Sequence, residues 1–223
     1  MTGSCKCILL AAFSFAFRIV LAQDSLATPA SRPSRNLGLS GGVNWSLLAL
    51  DASPYLAPGA AGTGSVTERN TPGLSGGLFL SIPQALMRVG AELTIMPAYL
   101  SYDHGRPNPF EGYVHPLTVD LPVYWISRPV LSGRSTSPCI VAGLRAVFPI
   151  PLFNSTQPEL LPVHGNGEVG LRFPLSPSHT TGGIEVFSSI GLFNLVQEGS
   201  PDYRTHALNS LRRNFAGVRV YFN

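Results

Sequence analysis

Apolar and polar residues alternate with a period of two in eight segments of this chain, at 37–47, 73–81, 88–101, 116–126, 139–149, 166–173, 183–195 and 214–222. That period puts successive side chains on opposite faces of a strand, so each segment predicts a β-strand with one apolar face. The apolar parity reads Leu37, Leu39, Val43, Trp45, Leu47 in the first segment and Val89, Ala91, Leu93, Ile95 in the third. It reads Leu117, Val119, Leu121, Val123, Trp125 in the fourth and Ile140, Ala142, Leu144, Ala146, Phe148 in the fifth. The segments approach the 9–11 residues with which a tilted strand crosses a bilayer. After the N-terminal segment no apolar run reaches the roughly 18 residues of a transmembrane helix. The mature chain is therefore soluble or spans a membrane as strands.

The opposite parity is small or polar and carries an unusual set of charges. Arg88, Glu92, Asp120, Arg145, Glu168, Arg172, Glu185 and Arg219 all fall mid-strand on the face away from the apolar stripe. A solvated sheet face would be expected to hold Lys and Thr, and none of these eight is Lys. Arginine binds carboxylates through a planar two-pronged edge, which suits charges that must be satisfied in a confined space. The set predicts a narrow barrel interior filled by Arg–carboxylate pairs, the apolar-out, polar-in arrangement of a membrane barrel.

The connections support the same picture. Along the chain they are about 25, 6, 14, 12, 16, 9 and 18 residues long, so long and short alternate as external loops and periplasmic turns do. An even strand number then puts both termini on the periplasmic side. Turn chemistry gathers in the long connections, at Asp51–Pro54, Gly59–Gly64, His104–Pro109 and Gly199–Asp202. Pro97, Pro122 and Pro149 fall within strand segments. Proline removes a ladder donor, so these are expected at bulges or strand ends.

The N-terminus changes the charge and cysteine accounts. Lys6 precedes an apolar run, Ile8–Phe17, and Val20 and Ala22 stand at the −3 and −1 positions of a small-residue cleavage site. Residues 1–22 are thus expected to be a signal peptide, 23–36 a flexible Ser/Ala/Pro/Arg leader, and 37–223 the barrel. The formal charge of +3 then includes Lys6 and Arg18, and removing both leaves no basic stripe for nucleic acid. Of the three cysteines, Cys5 and Cys7 lie in the same segment, and Cys139 alone can form neither an internal disulfide nor a zinc site. Charged residues are 12%, with 23 Gly and 20 Pro, which points to an all-β chain.

Several stretches resemble the PorT-type outer-membrane β-barrel proteins, abundant in the Bacteroidetes lineage. Thr71–Pro83 resembles that family's glycine-rich second strand, and Val89–Tyr102 its third. His115–Tyr124 is similar to its L-E-I-P-L strand, with Asp120 at the acidic and Pro122 at the proline position. Gly183–Asn194 and Asn214–Phe222 resemble its closing strands, although Asn223 follows the terminal aromatic residue. The resemblance implies a closed antiparallel eight-stranded transmembrane barrel in the cell outer membrane. It also implies outer-membrane lipid, lipopolysaccharide and the barrel-assembly machinery as partners. For the family's namesake branch it implies a secretion or surface complex.

Candidate chemistry is sparse. Asp103 with His104, His115, His164, and Asp202 with His206 could stand at a loop rim, but adjacency does not make an acid–base relay. No phosphate loop, nucleophile elbow or metal-spaced histidine pair is present, and no cofactor is expected. Asp202, Tyr203, Arg204, His206, Arg212 and Arg213 are candidate loop contacts to lipopolysaccharide phosphates or a protein. An eight-stranded lumen is just wide enough for side chains to fill, so a plugged, non-enzymatic barrel is expected rather than a pore. The alternatives are a soluble periplasmic lipocalin-like barrel, which requires an apolar interior, and a rim-site hydrolase or acyltransferase.

Overall fold

The computed structural model describes residues 36–56, 63–82, 85–103, 110–128, 137–151, 159–175, 182–197, 199 and 203–222. The expected signal peptide and all but the last residue of the leader lie outside them. Eight strands close into an antiparallel barrel: β1 (Asn36–Ala52), β4 (Pro72–Ile82), β5 (Met87–Ile95), β8 (Leu117–Ile126), β9 (Cys139–Pro149), β10 (His164–Pro174), β11 (Gly182–Gly191) and β12 (Leu208–Phe222). Each pairs with its sequence neighbour in the barrel, and β1 closes the ring on β12 from Leu39↔Phe222 to Ala52↔Leu208.

The alternation decides which face turns inward. Leu39, Val43 and Trp45 on β1, Leu74 and Leu78 on β4, Leu93 and Ile95 on β5 point outward. So do Val123 and Trp125 on β8, Leu144 on β9, Val169 and Leu171 on β10, Val186 and Ile190 on β11, and Val218 on β12. The interior parity is buried. Glycine makes room among its large side chains: at Gly143 a Cβ would fall against the Val123 carbonyl and within 2.6 Å of the Tyr124 ring.

Long connections gather at one end of the barrel and short ones at the other, which also holds Asn36 and Phe222. The long ones are folded, a departure from the loops expected there. The first carries β2 (Tyr55–Leu56) and β3 (Thr63–Arg69), and the second β6 (Tyr99–Asp103) and β7 (Phe110–Tyr113). These form a separate four-stranded sheet in the order β2-β3-β6-β7. The fourth holds a short helix, α1 (Tyr203–His206). The expected third strand, 88–101, is therefore two. Barrel pairing stops at Ile95, and the chain turns into the cap sheet through Met96–Ala98, with Met96 N donating to the Pro116 carbonyl (2.8 Å) and Val114 N to that of Ala98 (2.8 Å).

The prolines find three solutions. Pro97 lies in that break, and Pro149 is the last residue of β9. Pro122 sits mid-strand, not at a bulge: pairing between β5 and β8 lapses where Gly90 and Ala91 face Leu121 and Pro122, then resumes in the same register. The other edge of β8 pairs through Pro122↔Arg145 without interruption.

Candidate functional site: the filled lumen and its cap

The lumen is built in two decks. At mid-barrel the inward side chains are charged or aromatic. Arg145 reaches Asp120 (2.8 Å), Glu92 (2.9 Å) and Glu168 (2.9 Å). Arg219 pairs with Glu168 and with Glu92 (3.4 Å). Arg88 pairs with Glu185 (3.0 Å) and lies over the rings of Tyr221 and Tyr124. The Tyr124 hydroxyl accepts from Arg145 Nη2 (2.7 Å) and Arg219 Nη1 (2.6 Å), tying the two arginines together. Thr94 donates to Asp120 (2.8 Å), Ser40 to Glu92 (3.2 Å) and Tyr221 to Glu185 (3.2 Å). Arg172, nearer the terminal end, packs beside Tyr221 (5.4 Å).

All eight charged residues predicted for the interior are thus brought together inside the barrel, each buried. The arrangement is a network of shared partners rather than four separate pairs. Every strand except β1, β4 and the cap strands supplies a charge to it, and glycine, serine and Phe79 from β1 and β4 fill the remaining side.

Toward the cap the inward parity turns apolar, in Leu48 on β1, Met96 and Ala98 after β5, and Leu211 on β12. These join Tyr55, Leu100, Tyr102, Val114, Leu160, Leu195, Ala207 and Leu208; all but Met96 form one core under the cap sheet. The Tyr55 and Tyr102 rings meet edge to face at 6.0 Å, and Arg204 lies 5.4 Å over the Phe110 ring. Hydrogen bonds stitch the long connections to one another. Ser53 N donates to the Ala207 carbonyl (3.0 Å), Leu161 N to that of Leu195 (2.8 Å), and Glu159 N to Thr205 Oγ1 (3.1 Å). All four long connections are therefore members of one folded cap.

The candidate loop contacts separate on this frame. Asp202 and the Tyr203 side chain lie outside the described residues. Arg204 packs into the cap, and His206 is exposed. Arg212 and Arg213 are not in a loop, because β12 begins at Leu208. Arg212 points outward, whereas Arg213 is 2% exposed and belongs to the lumen. Its alternation with Phe215 and Arg219 on one parity was the available signal; reading the strand from 214 hid it.

Of the rim candidates, Asp103 is exposed at the end of β6, and His104 lies outside the described residues. His115 and His164 are both buried where lumen meets cap, and their rings stack at 5.5 Å with 19° between planes. Sequence spacing gave no hint of that contact. Burial, then the nearby His164 and Arg213, hold His115 down to about 3, so it is a neutral imidazole. Neither ring hydrogen-bonds a carboxylate: His115 Nε2 and both nitrogens of His164 have no partner among the described residues. An acid–base relay needs such an orienting bond.

No family model matches the chain, and no curated protein matches it. Solved structures similar to it include Neisserial surface protein A, at 8% identity and a TM-score of 0.47, covering 85% of this chain and 98% of that one. The outer membrane protein OprG from Pseudomonas aeruginosa is similar at 9% identity and a TM-score of 0.41, covering 86% and 97%. The enduracididine biosynthesis enzyme MppR follows at 13% identity and a TM-score of 0.19, covering 86% and 87%.

Proposed function

We propose that the chain is an integral outer-membrane β-barrel whose lumen is closed, and that it works through its folded cap as a non-enzymatic recognition or structural component. The observation that carries this reading is the inverted polarity of the barrel, apolar outward on all eight strands and ion-paired charge inward. Apolar faces this extensive on a water-soluble barrel would drive association, whereas in hydrocarbon they are solvated. On β1 the outward apolar side chains run from Leu37 to Leu47. That stretch is roughly 33 Å along the strand, or about 25 Å along the axis at the usual tilt, the height of a membrane barrel's apolar band. Exposed aromatic residues flank it, with Trp45 toward the cap and Trp125, Phe173 and Phe222 toward the terminal end.

The interior argues against a lipocalin-like ligand cavity, which would be apolar, and against a diffusion pore. The long–short asymmetry of the connections favours a cap facing outside and termini facing the periplasm. Arg212, exposed toward the cap end, and the exposed His206 are then placed to meet lipopolysaccharide phosphates. The likeness to PorT-type proteins favours an accessory part in secretion or a surface complex, with the cap as its docking face.

Fractionation tests the location: the protein should resist carbonate extraction and migrate differently before and after boiling, and release by osmotic shock would overturn the reading. Planar-bilayer recordings test the lumen separately, because stable open channels would refute a closed barrel while leaving its location intact. Loss of a secreted cargo on deletion of the chain would support the accessory role.

A further inference from the structure

The buried charges inside this barrel do not balance. Among the described residues five arginines are buried, Arg88, Arg145, Arg172, Arg213 and Arg219, against four carboxylates, Glu92, Asp120, Glu168 and Glu185. Those four carboxylates are already engaged in the ion pairs of Arg88, Arg145 and Arg219. A buried charge without a counterpart is strongly disfavoured, so a fifth negative charge is called for.

Arg213 marks where it is missing. Its Nε and Nη2 atoms, both on one edge of the guanidinium, have no hydrogen-bond partner among the described residues. That edge is the fork which holds two oxygens of a carboxylate or phosphate side by side. His115 and His164 stand close enough for Arg213 to act on both electrostatically, and the ring nitrogens named above remain unpartnered beside it. The backbone holds this corner in place. His115 adopts a left-handed conformation (φ 41°) that few residues other than glycine take, and Asn166 Nδ2 donates to the Arg213 carbonyl (2.9 Å). Asp120 also faces Arg213, but no ion pair joins them among the described residues: Oδ2 accepts from Arg145 and Thr94, and Oδ1 has no hydrogen-bond partner there. Above lie Leu211 and the rest of the apolar cap core.

We infer that Arg213, His115 and His164 form an enclosed site for one small oxyanion, a carboxylate, phosphate or sulfate, seated at the junction of lumen and cap. The guanidinium fork takes two of its oxygens and neutral His164 donates its one N–H to another, while His115, whose own N–H goes to the Leu161 carbonyl, lines the site through its stacked ring. The anion supplies the missing charge and fastens the cap-end turns before β8 and β10 to β12.

The full-length mature protein, purified in detergent and freed of oxyanions, is titrated with inorganic phosphate at constant ionic strength while its thermal midpoint is followed. A saturable rise is expected, because a ligand that binds only the folded state stabilises it. Arg213→Gln should abolish the rise. Arg213→Lys, which keeps the charge but not the fork, should weaken binding by about tenfold or more. Ion chromatography of the acid-denatured wild-type protein, as first purified, should release about one oxyanion per chain, a stoichiometry that one bidentate fork fixes. This readout needs no variant to fold. Stabilisation by lipopolysaccharide but not by phosphate would support the site and assign the oxyanion to a lipid headgroup, and the reverse would assign it to a free ion. A rise that chloride reproduces at matched ionic strength, or one equal in wild type and both variants, would overturn the site. So would a wild-type protein that neither responds nor releases an oxyanion. None of these failures would disturb the membrane location or the closed lumen.

Discussion

Replacing Tyr124 with phenylalanine deletes one oxygen at the point where Arg145 and Arg219 converge. The ring stays, and with it the stacking of Arg88 at 4.7 Å and Arg219 at 5.3 Å. What disappears is a buried acceptor for two charged donors, at 2.7 Å and 2.6 Å. A hydrogen bond to a charged group contributes about 1.5–3 kcal/mol. Both guanidiniums keep carboxylate partners through other nitrogens or oxygens, so each loss belongs at the low end of that range, and together they amount to about 3 kcal/mol. Equilibrium unfolding in urea from phospholipid vesicles reads this directly. Trp45 and Trp125 face outward at 51% and 50% exposure, and their fluorescence reports passage out of the apolar band. The midpoint should fall with the denaturant slope unchanged, since the surface buried is the same. A variant within about 0.5 kcal/mol of wild type, the range of an inert surface substitution, would refute the claim that this hydroxyl couples the two arginines.

Three further outcomes follow from the same structure. Gly143→Ala drives a methyl group into the Val123 carbonyl and the Tyr124 ring, so the variant should lose the gel shift between boiled and unboiled protein that marks a closed barrel. Leu144→Arg, at an outward position 63% exposed in the middle of β9, should cost about 2–4 kcal/mol in vesicle unfolding, whereas Asn209→Arg in the exposed cap-end edge of β12 should cost much less. His115 is held well below its ordinary 6.5, to about 3, so the unfolded chain takes up a proton there before the folded one does. Its contribution to stability is therefore complete above about pH 6.5 and declines as pH falls toward 3. The urea midpoint should drop more between pH 7.5 and pH 4.5 in wild type than in His115→Gln.

The barrel was legible because its strands carry two independent patterns, an apolar parity and, on six of the eight strands, charge on the opposite parity. The cap was not, although the signal exists. Along the even positions from Arg88, polar or small residues (Arg88, Gly90, Glu92, Thr94) give way to Met96, Ala98, Leu100 and Tyr102, all completely buried. A period-two reading registers one unbroken strand there, since the alternation itself never falters. Only the change from polar to apolar on the inward parity marks the exit from the barrel. The same change occurs between Ser46 and Leu48 on β1 and between Arg213 and Leu211 on β12. The charge network was readable as a set of residues, but its wiring was not, because Arg88–Glu185 and Arg219–Glu92 join strands far apart in sequence. The meeting of His115 and His164 depends on two turns brought together by barrel closure, which no local spacing encodes.

That wiring bears on how the chain is assembled. Arg219 lies on the last strand of the chain, whereas the carboxylates it shares, Glu92 and Glu168, lie on β5 and β10. Without β12, those acids keep Arg145 as their ion-pair partner among the described residues, and Arg213 is lost with Arg219. The final strand therefore delivers the charge complement and seals the hydrogen-bonded ring in a single event. A chain cut short before β12, or one whose last strand pairs a residue out of step, leaves like charges facing one another across the gap. Closing the ring and neutralising Glu92 and Glu168 are thus tied to one strand, because Arg219 belongs to the strand that pairs with β1.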